Sequence, residues 1–206
     1  MAPRMQNNPP GEHNGRPHHR DRRHAASDQR RDAPPSGSSA GSHPQASLKS
    51  AAYDECYAAI VAIWRDEGGE TLDDIALMST INSVLANRFP HFFWTGFYRV
   101  INGRLVVGPY IGTVGCLQIE FGRGVCGTAA ARRETVIVPD VNQFPGHIAC
   151  DPNSKSEIVV PLFRGDDLIA VLDIDATQLN AFDDEDARGL ARILGLFTAK
   201  GTEGTR

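Results

Sequence analysis

The 206-residue sequence contains no run of eighteen apolar residues, so no segment is suited to cross a membrane as a helix. No apolar core follows the first methionine, and a secretory signal is therefore not expected. Residues 1–46 have almost no large apolar side chain. Arg, His, Pro, Gly, Ser and Asn fill them instead, and such a segment cannot bury enough surface to offset chain entropy, so it reads as a disordered tail. Its seven arginines and four acids make it about +3, which leaves the remainder at about −7 against a total of −4. A basic tail contacts nucleic acid when aromatics and a structured scaffold accompany it. Neither does here, and the tail reads as solvated, with no nucleic-acid or membrane partner. Arg-richness resembles a transit peptide, but Glu12, Asp21, Asp28 and Asp32 argue against one. The expected compartment is a reducing cytoplasm, where clustered cysteines are more often catalytic or metal-binding than structural. No internal repeat is visible, and Gly122-Arg123-Gly124-Val125-Cys126-Gly127 is neither a dinucleotide nor a P-loop fingerprint.

What is present, with 41% hydrophobic residues, suffices for one domain over about 47–200, followed by a flexible end at 201–206. Ser47 is placed to cap a helix to about Arg65 with an apolar stripe through Leu48, Ala52, Cys56, Ala59, Ile60 and Ile63; Cys56 reads as core. Gly68 and Gly69 stop it. Thr71, with Asp74 three residues on, is expected to open a second helix ending near Pro90. Phe92 to Val100 reads as a strand, Asn102-Gly103 as a hairpin turn and Arg104 to Val107 as the return strand. Short strands are expected at Cys116–Glu120 and Thr135–Val138, with a helix over Val125–Arg133 between them. Asp140 to Ser156 is a long loop, of a kind usually functional in compact domains. Glu157–Phe163 and Leu168–Asp175 read as apolar strands, and Asp183 as the cap of a last helix to about Lys200. The order predicts an α+β fold with an antiparallel sheet.

Three of the four cysteines, Cys116, Cys126 and Cys150, fall between Gly115 and Pro161. The thiolate is the reactive form of cysteine, and its reference pKa is about 8.5. Cys126 opens a helix just after Gly-Arg-Gly, so a helix N-terminus and Arg123 are expected to favour its thiolate. Cys150 lies three residues after His147 in the long loop. The bland reading of each thiol is a small buried hydrophobe. Spacings of ten and twenty-four residues lack the close pairs of structural zinc sites, so no metal is expected, although His147 is a conceivable fourth ligand. Alternation puts Asp173 and Asp175 on one face of their strand, and Glu157 opens another. These acids are either solvated strand ends or a buried cluster that binds an ammonium or holds a proton. Trp94 and Tyr98 share a strand face, with Gly96 between them leaving space for a small pocket.

The segments WTGFY, GRGVCGTA, GHIACD, SEIVVP and LDID, in this order, resemble the free methionine-(R)-sulfoxide reductases, GAF-domain enzymes that reduce oxidised methionine as the free amino acid. The resemblance covers roughly Thr71 to Leu196. It implies a GAF fold, with a sheet of about six antiparallel strands and helices mainly on one face, often dimeric through terminal helices. It implies further that a cysteine attacks the sulfoxide sulfur, an acid protonates the oxygen, and a second cysteine condenses with the sulfenic acid into a disulfide. Cys150 is then the expected nucleophile and Cys116 the resolving thiol, with Cys126 a second resolver or the alternative nucleophile. Glu157 and Asp175 are assigned to protonation and Asp173 to the substrate ammonium. Trp94, Tyr98, Ile148 and Ala149 are assigned to substrate binding beside the acids. No cofactor is expected beyond an external thioredoxin and NADPH system of the oxidative-stress response. The competing readings are a GAF module that senses a small molecule without turnover, and a peptide methionine sulfoxide reductase, whose usual Gly-Cys-Phe-Trp-Cys motif is missing.

Overall fold

A computed structural model describes residues 44–199, with side chains over 48–198. The expected disordered tail, up to residue 43, and the flexible 201–206 end lie outside the described residues. Helix α1 is Pro44–Asp66, so it begins before Ser47, which lies inside the helix instead of capping it. A proline suits the first turn, where its missing N–H removes no helical hydrogen bond. Gly68 and Gly69 end the segment with φ of +107° and +58°. The cap of α2 (Asp74–Arg88) is Asp73, not Thr71: its carboxylate accepts from the N–H groups of Ile75 and Ala76. Thr71 instead closes a short 3-10 turn, its hydroxyl donating to Gly68 O.

Six strands follow: β1 (Trp94–Ile101), β2 (Arg104–Ile111), β3 (Gln118–Ile119), β4 (Val136–Val138), β5 (Ser156–Arg164) and β6 (Asp167–Ala176). They form one antiparallel sheet in the order β3-β2-β1-β6-β5-β4. Asn102 and Gly103, with φ of 52° and 75°, make the tight β1–β2 turn that the Asn-Gly pair predicts. Helix α3 (Gly124–Arg132) lies between β3 and β4. Helix α4 (Asp184–Leu194) carries a reciprocal cap between Asp183 and Asp186, and breaks at Gly195 before the short α5 (Leu196–Ala199), where one helix to Lys200 was expected.

Both sheet faces are covered, as the apolar runs in β5 and β6 imply. On one face Phe97, Ile158, Val160, Leu172 and Ile174 pack with α1, α2 and α4 in the main core. On the other, Val159 and Val171 pack with Val125, Cys126 and Ala129 of α3. Helix α1 turns Ala52, Tyr53, Cys56 and Ile60 inward, but Leu48, Ala59 and Ile63 of the expected stripe are exposed. The helix lies on a narrow strip against α2 and α4, which covers fewer positions than its apolar pattern offers. Asp186, fully buried, anchors it by accepting from Tyr53 Oη at 2.8 Å and Lys49 Nζ at 2.7 Å.

Candidate active site

Strand register assembles the acids. Asp173 and Asp175 leave β6 on one face, and pairing sets Glu157 beside Asp175, with Trp94 on its other side. Glu157 and Asp173 are only 5% and 6% exposed, so the solvated-end reading fails for them. Burial raises the Asp173 carboxyl from 3.8 to about 6. Burial, then the charges of Asp173 and Asp175, hold Glu157 well above the carboxylate range. Burial, then Asp173, does the same to Asp175, although Ser154 donates a hydrogen bond to it. Burial and mutual repulsion raise all three carboxyls, so the set holds protons that isolated carboxylates would release and is suited to giving one up. Asp173 Oδ1 is buried with no hydrogen-bond partner among the described residues. An unpaired buried acceptor fits a ligand that brings donors.

Cys126 sits in the first turn of α3, with its Sγ 3.9 Å from Glu157 Oε1. The expected thiolate is overturned. Burial, then Asp173 and Glu157, push its thiol well above its ordinary value. A helix N-terminus contributes about 1 kcal/mol at most exposed sites, too little against a buried position facing acids. Arg123 is exposed to solvent, which screens it. Sγ of Cys126 and one oxygen each of Glu157 and Asp173 lie within 4.8 Å of one another, a set able to hold a cation.

Cys116 and Cys150 are joined in a disulfide, Sγ–Sγ 1.98 Å and Cα–Cα 5.3 Å, thirty-four residues apart in sequence. Cys150 lines the same pocket as the acids, whereas Cys116 does not. His147 Nε2 lies 3.8 Å from Glu157 Oε2, and burial lowers its pKa, so it enters the site as neutral imidazole at pH 7. The loop between β4 and β5 is closed at its neck by Val141 N–H donating to Lys155 O. A second tie runs from Thr113 Oγ1, which donates to Asp151 Oδ2 at 2.6 Å.

Trp94, Tyr98, Arg123, His147 and Ile148 line the pocket, as do Ile119, Val125, Asp151 and Ser154, which sequence reasoning did not single out. The Asp151-Pro152-Asn153 turn was the available signal for that part of the wall: Asp151 Oδ1 accepts from Asn153 N–H at 2.7 Å. Ala149 is exposed and does not line the pocket. Gly96 leaves no open space either. A Cβ there would lie 2.5 Å from the Trp94 ring and 2.4 Å from Tyr110 Cβ, because the indole folds across it and stacks between Tyr98 and Tyr110 at 5.8 and 5.2 Å. The space that this glycine provides is filled by the pocket wall itself.

A GAF domain family model matches residues 58–199. The free methionine-R-sulfoxide reductase of Escherichia coli is 44% identical over 126 residues, 61% of this chain and 76% of the bacterial one. The Saccharomyces cerevisiae protein of the same name is 49% identical over 108 residues, 50% of this chain and 60% of the yeast one. The X-ray structure of free methionine-R-sulfoxide reductase from Neisseria meningitidis, in complex with its substrate, superposes with a TM-score of 0.67 at 36% identity, covering 78% of this chain and 92% of that one.

Proposed function

The chain belongs to the GAF-domain family and, within it, to the free methionine-R-sulfoxide reductases, and from that premise we propose that it reduces free L-methionine (R)-sulfoxide with its own thiols. One observation carries this reading: a disulfide with one sulfur in a pocket walled by three acids, Glu157, Asp173 and Asp175, whose carboxyls burial pushes up. The Cys150 thiolate attacks the sulfoxide sulfur while Glu157 or Asp175 gives one proton to the oxygen. The sulfur–oxygen bond breaks, methionine leaves and Cys150 becomes a sulfenic acid. The Cys116 thiol then displaces water and forms the Cys116–Cys150 disulfide, the state seen here. Asp173 receives the substrate ammonium at its unpaired Oδ1, and Trp94 and Tyr98 flank the thioether. Cys126, protonated and behind the acids, is suited to shaping the pocket and not to attack.

The recycling electrons are assigned to a thioredoxin-type dithiol fed by NADPH, and the compartment to the cytoplasm, which a disulfide needing reduction in every cycle supports. Among the described residues no helix is long and apolar enough to cross a membrane. A homodimer is supported by the outward apolar residues Leu48 and Ile63 of α1. The test is racemic free methionine sulfoxide with dithiothreitol, followed by chiral separation. Disappearance of half the substrate, all of it the R epimer, is expected. Retention of both epimers would remove the enzymatic reading in favour of a ligand sensor.

A further inference from the structure

We propose that the protein dithiol that recycles this site docks on the apolar segment 110–121 and attacks the Cys116 sulfur, so that Cys150 is the leaving thiolate; this rests on the reductase reading above. Ten large apolar residues are exposed among the described residues, and five of them lie in that one segment: Tyr110, Ile111, Val114, Leu117 and Phe121. Val114, two residues before Cys116, and Leu117, one after it, are 77% and 70% exposed, two of the three highest values of the ten. Concentrated exposed apolar surface marks an interaction site. The segment runs from the end of β2 through β3, the two-residue strand at the edge of the sheet, so no further strand covers it. What identifies the occupant is the disulfide in its midst. A bond that must be reduced by an external thiol is surrounded by surface suited to a protein, not to a small solute.

The choice of sulfur follows from which one faces the pocket. Exchange depends on which sulfur is accessible and on the leaving group. Cys150 belongs to the pocket wall with Ile148, Glu157 and Asp175, and Cys116 does not. A protein thiolate reaching Cys150 would have to enter the pocket. Cys116 is half-buried like Cys150, but it lies within the exposed segment and outside the pocket lining, so a thiolate approaching it meets that segment instead. Its sulfur bonds to Cys116 Sγ, the Cys116–Cys150 bond breaks, and its electron pair leaves on Cys150, inside the pocket beside His147. The partner's second thiol then attacks the mixed disulfide. Cys116 leaves as a thiol and the partner becomes the disulfide, so two electrons and two protons pass to this protein. The nucleophile is thereby regenerated in the position from which it attacks.

Two measurements test this. Oxidised protein is mixed with a thioredoxin-type protein whose second active-site cysteine is serine, quenched in acid, alkylated and mapped by mass spectrometry. The mixed disulfide is expected on Cys116 with Cys150 alkylated; a mixed disulfide on Cys150, or none, overturns the proposal. In steady state, Leu117→Glu places a charge in the docking surface and is expected to lower kcat/KM for the intact protein dithiol about tenfold or more, with the dithiothreitol-driven rate within about twofold of wild type. Equal rates with the protein dithiol, or equal losses with both reductants, overturn it. Release of methionine by the pre-reduced protein is measured separately, and its absence would refute the reductase reading while leaving the trapping result to judge docking.

Discussion

Replacing Asp173 with asparagine removes an ionisable carboxyl from the buried acid cluster and nearly keeps its shape. Burial holds this carboxyl at about 6 in the folded protein against 3.8 ordinarily. A raised carboxyl pKa means that the folded state binds the proton more tightly than the unfolded chain does. Stability therefore falls as pH climbs from about 4 to about 6, and the full penalty is present above that window. The difference corresponds to about 3 kcal/mol. Asparagine has no charge to desolvate. It keeps an acceptor for Cys126 and Glu157, and the Oδ1 position is already unpaired. In urea unfolding of the disulfide-intact protein, Asp173→Asn should thus gain about 2 to 3 kcal/mol over wild type at pH 8 and almost nothing at pH 4. On the ammonium role proposed for Asp173, the same variant should also lower kcat/KM for free methionine (R)-sulfoxide on the order of 100- to 1000-fold. An equal stability change at both pH values would refute the buried charge on Asp173. A stabilised variant with wild-type kcat/KM would refute its role in ammonium recognition.

N-acetylation of the substrate removes that same ammonium, and kcat/KM should drop on the order of a thousandfold; equal turnover of the acetylated compound would point to a peptide reductase. Cys150→Ser should release no methionine in a single turnover, whereas Cys116→Ser should give a stoichiometric burst and then stall with a protein dithiol, partly rescued by dithiothreitol. A full burst from Cys150→Ser would identify another thiol as the nucleophile. Gly127→Ala should cost several kcal/mol in thermal or urea unfolding, because its Cβ would sit 2.2 Å from the backbone oxygen of Glu120 and only a main-chain shift relieves that; a wild-type Tm would show that α3 is free to move away.

The parts of the site legible in the sequence were those set by local rules. Alternation alone put Asp173 and Asp175 on one face, and Asn102-Gly103 alone specified a hairpin that both residues form with positive φ. The pairing of Glu157 with Asp175 depends on which strands are neighbours, and no local pattern encodes it. Cys126 shows the limit most clearly. Its helix start is visible in the sequence and argues for a thiolate, but the groups that decide its state, Asp173 and Glu157, arrive from β6 and β5. Gly96 was legible as a missing side chain and not as the seat of an indole ring, since the direction in which Trp94 folds is a tertiary fact. The same holds for α1, where an apolar pattern does not say how wide a strip its neighbours will cover.

The site divides into a fixed half and a movable half, and the fold explains the division. Glu157 lies on β5 between β4 and β6, and Asp173 and Asp175 on β6 between β1 and β5, so each acid stands on a strand hydrogen-bonded on both sides. Shifting one of them would break two ladders. The two disulfide cysteines are on connections instead. In the proposed cycle Cys150 faces a sulfoxide in one step and Cys116 in the next, which a paired strand would not allow. Its loop is held at the neck by Val141 and Lys155, and across the pocket mouth by the Thr113–Asp151 hydrogen bond and the disulfide. Reduction removes only the last of these ties. The reduced loop would keep one tie across the mouth, from Thr113 to Asp151, while the acids stay fixed on their paired strands.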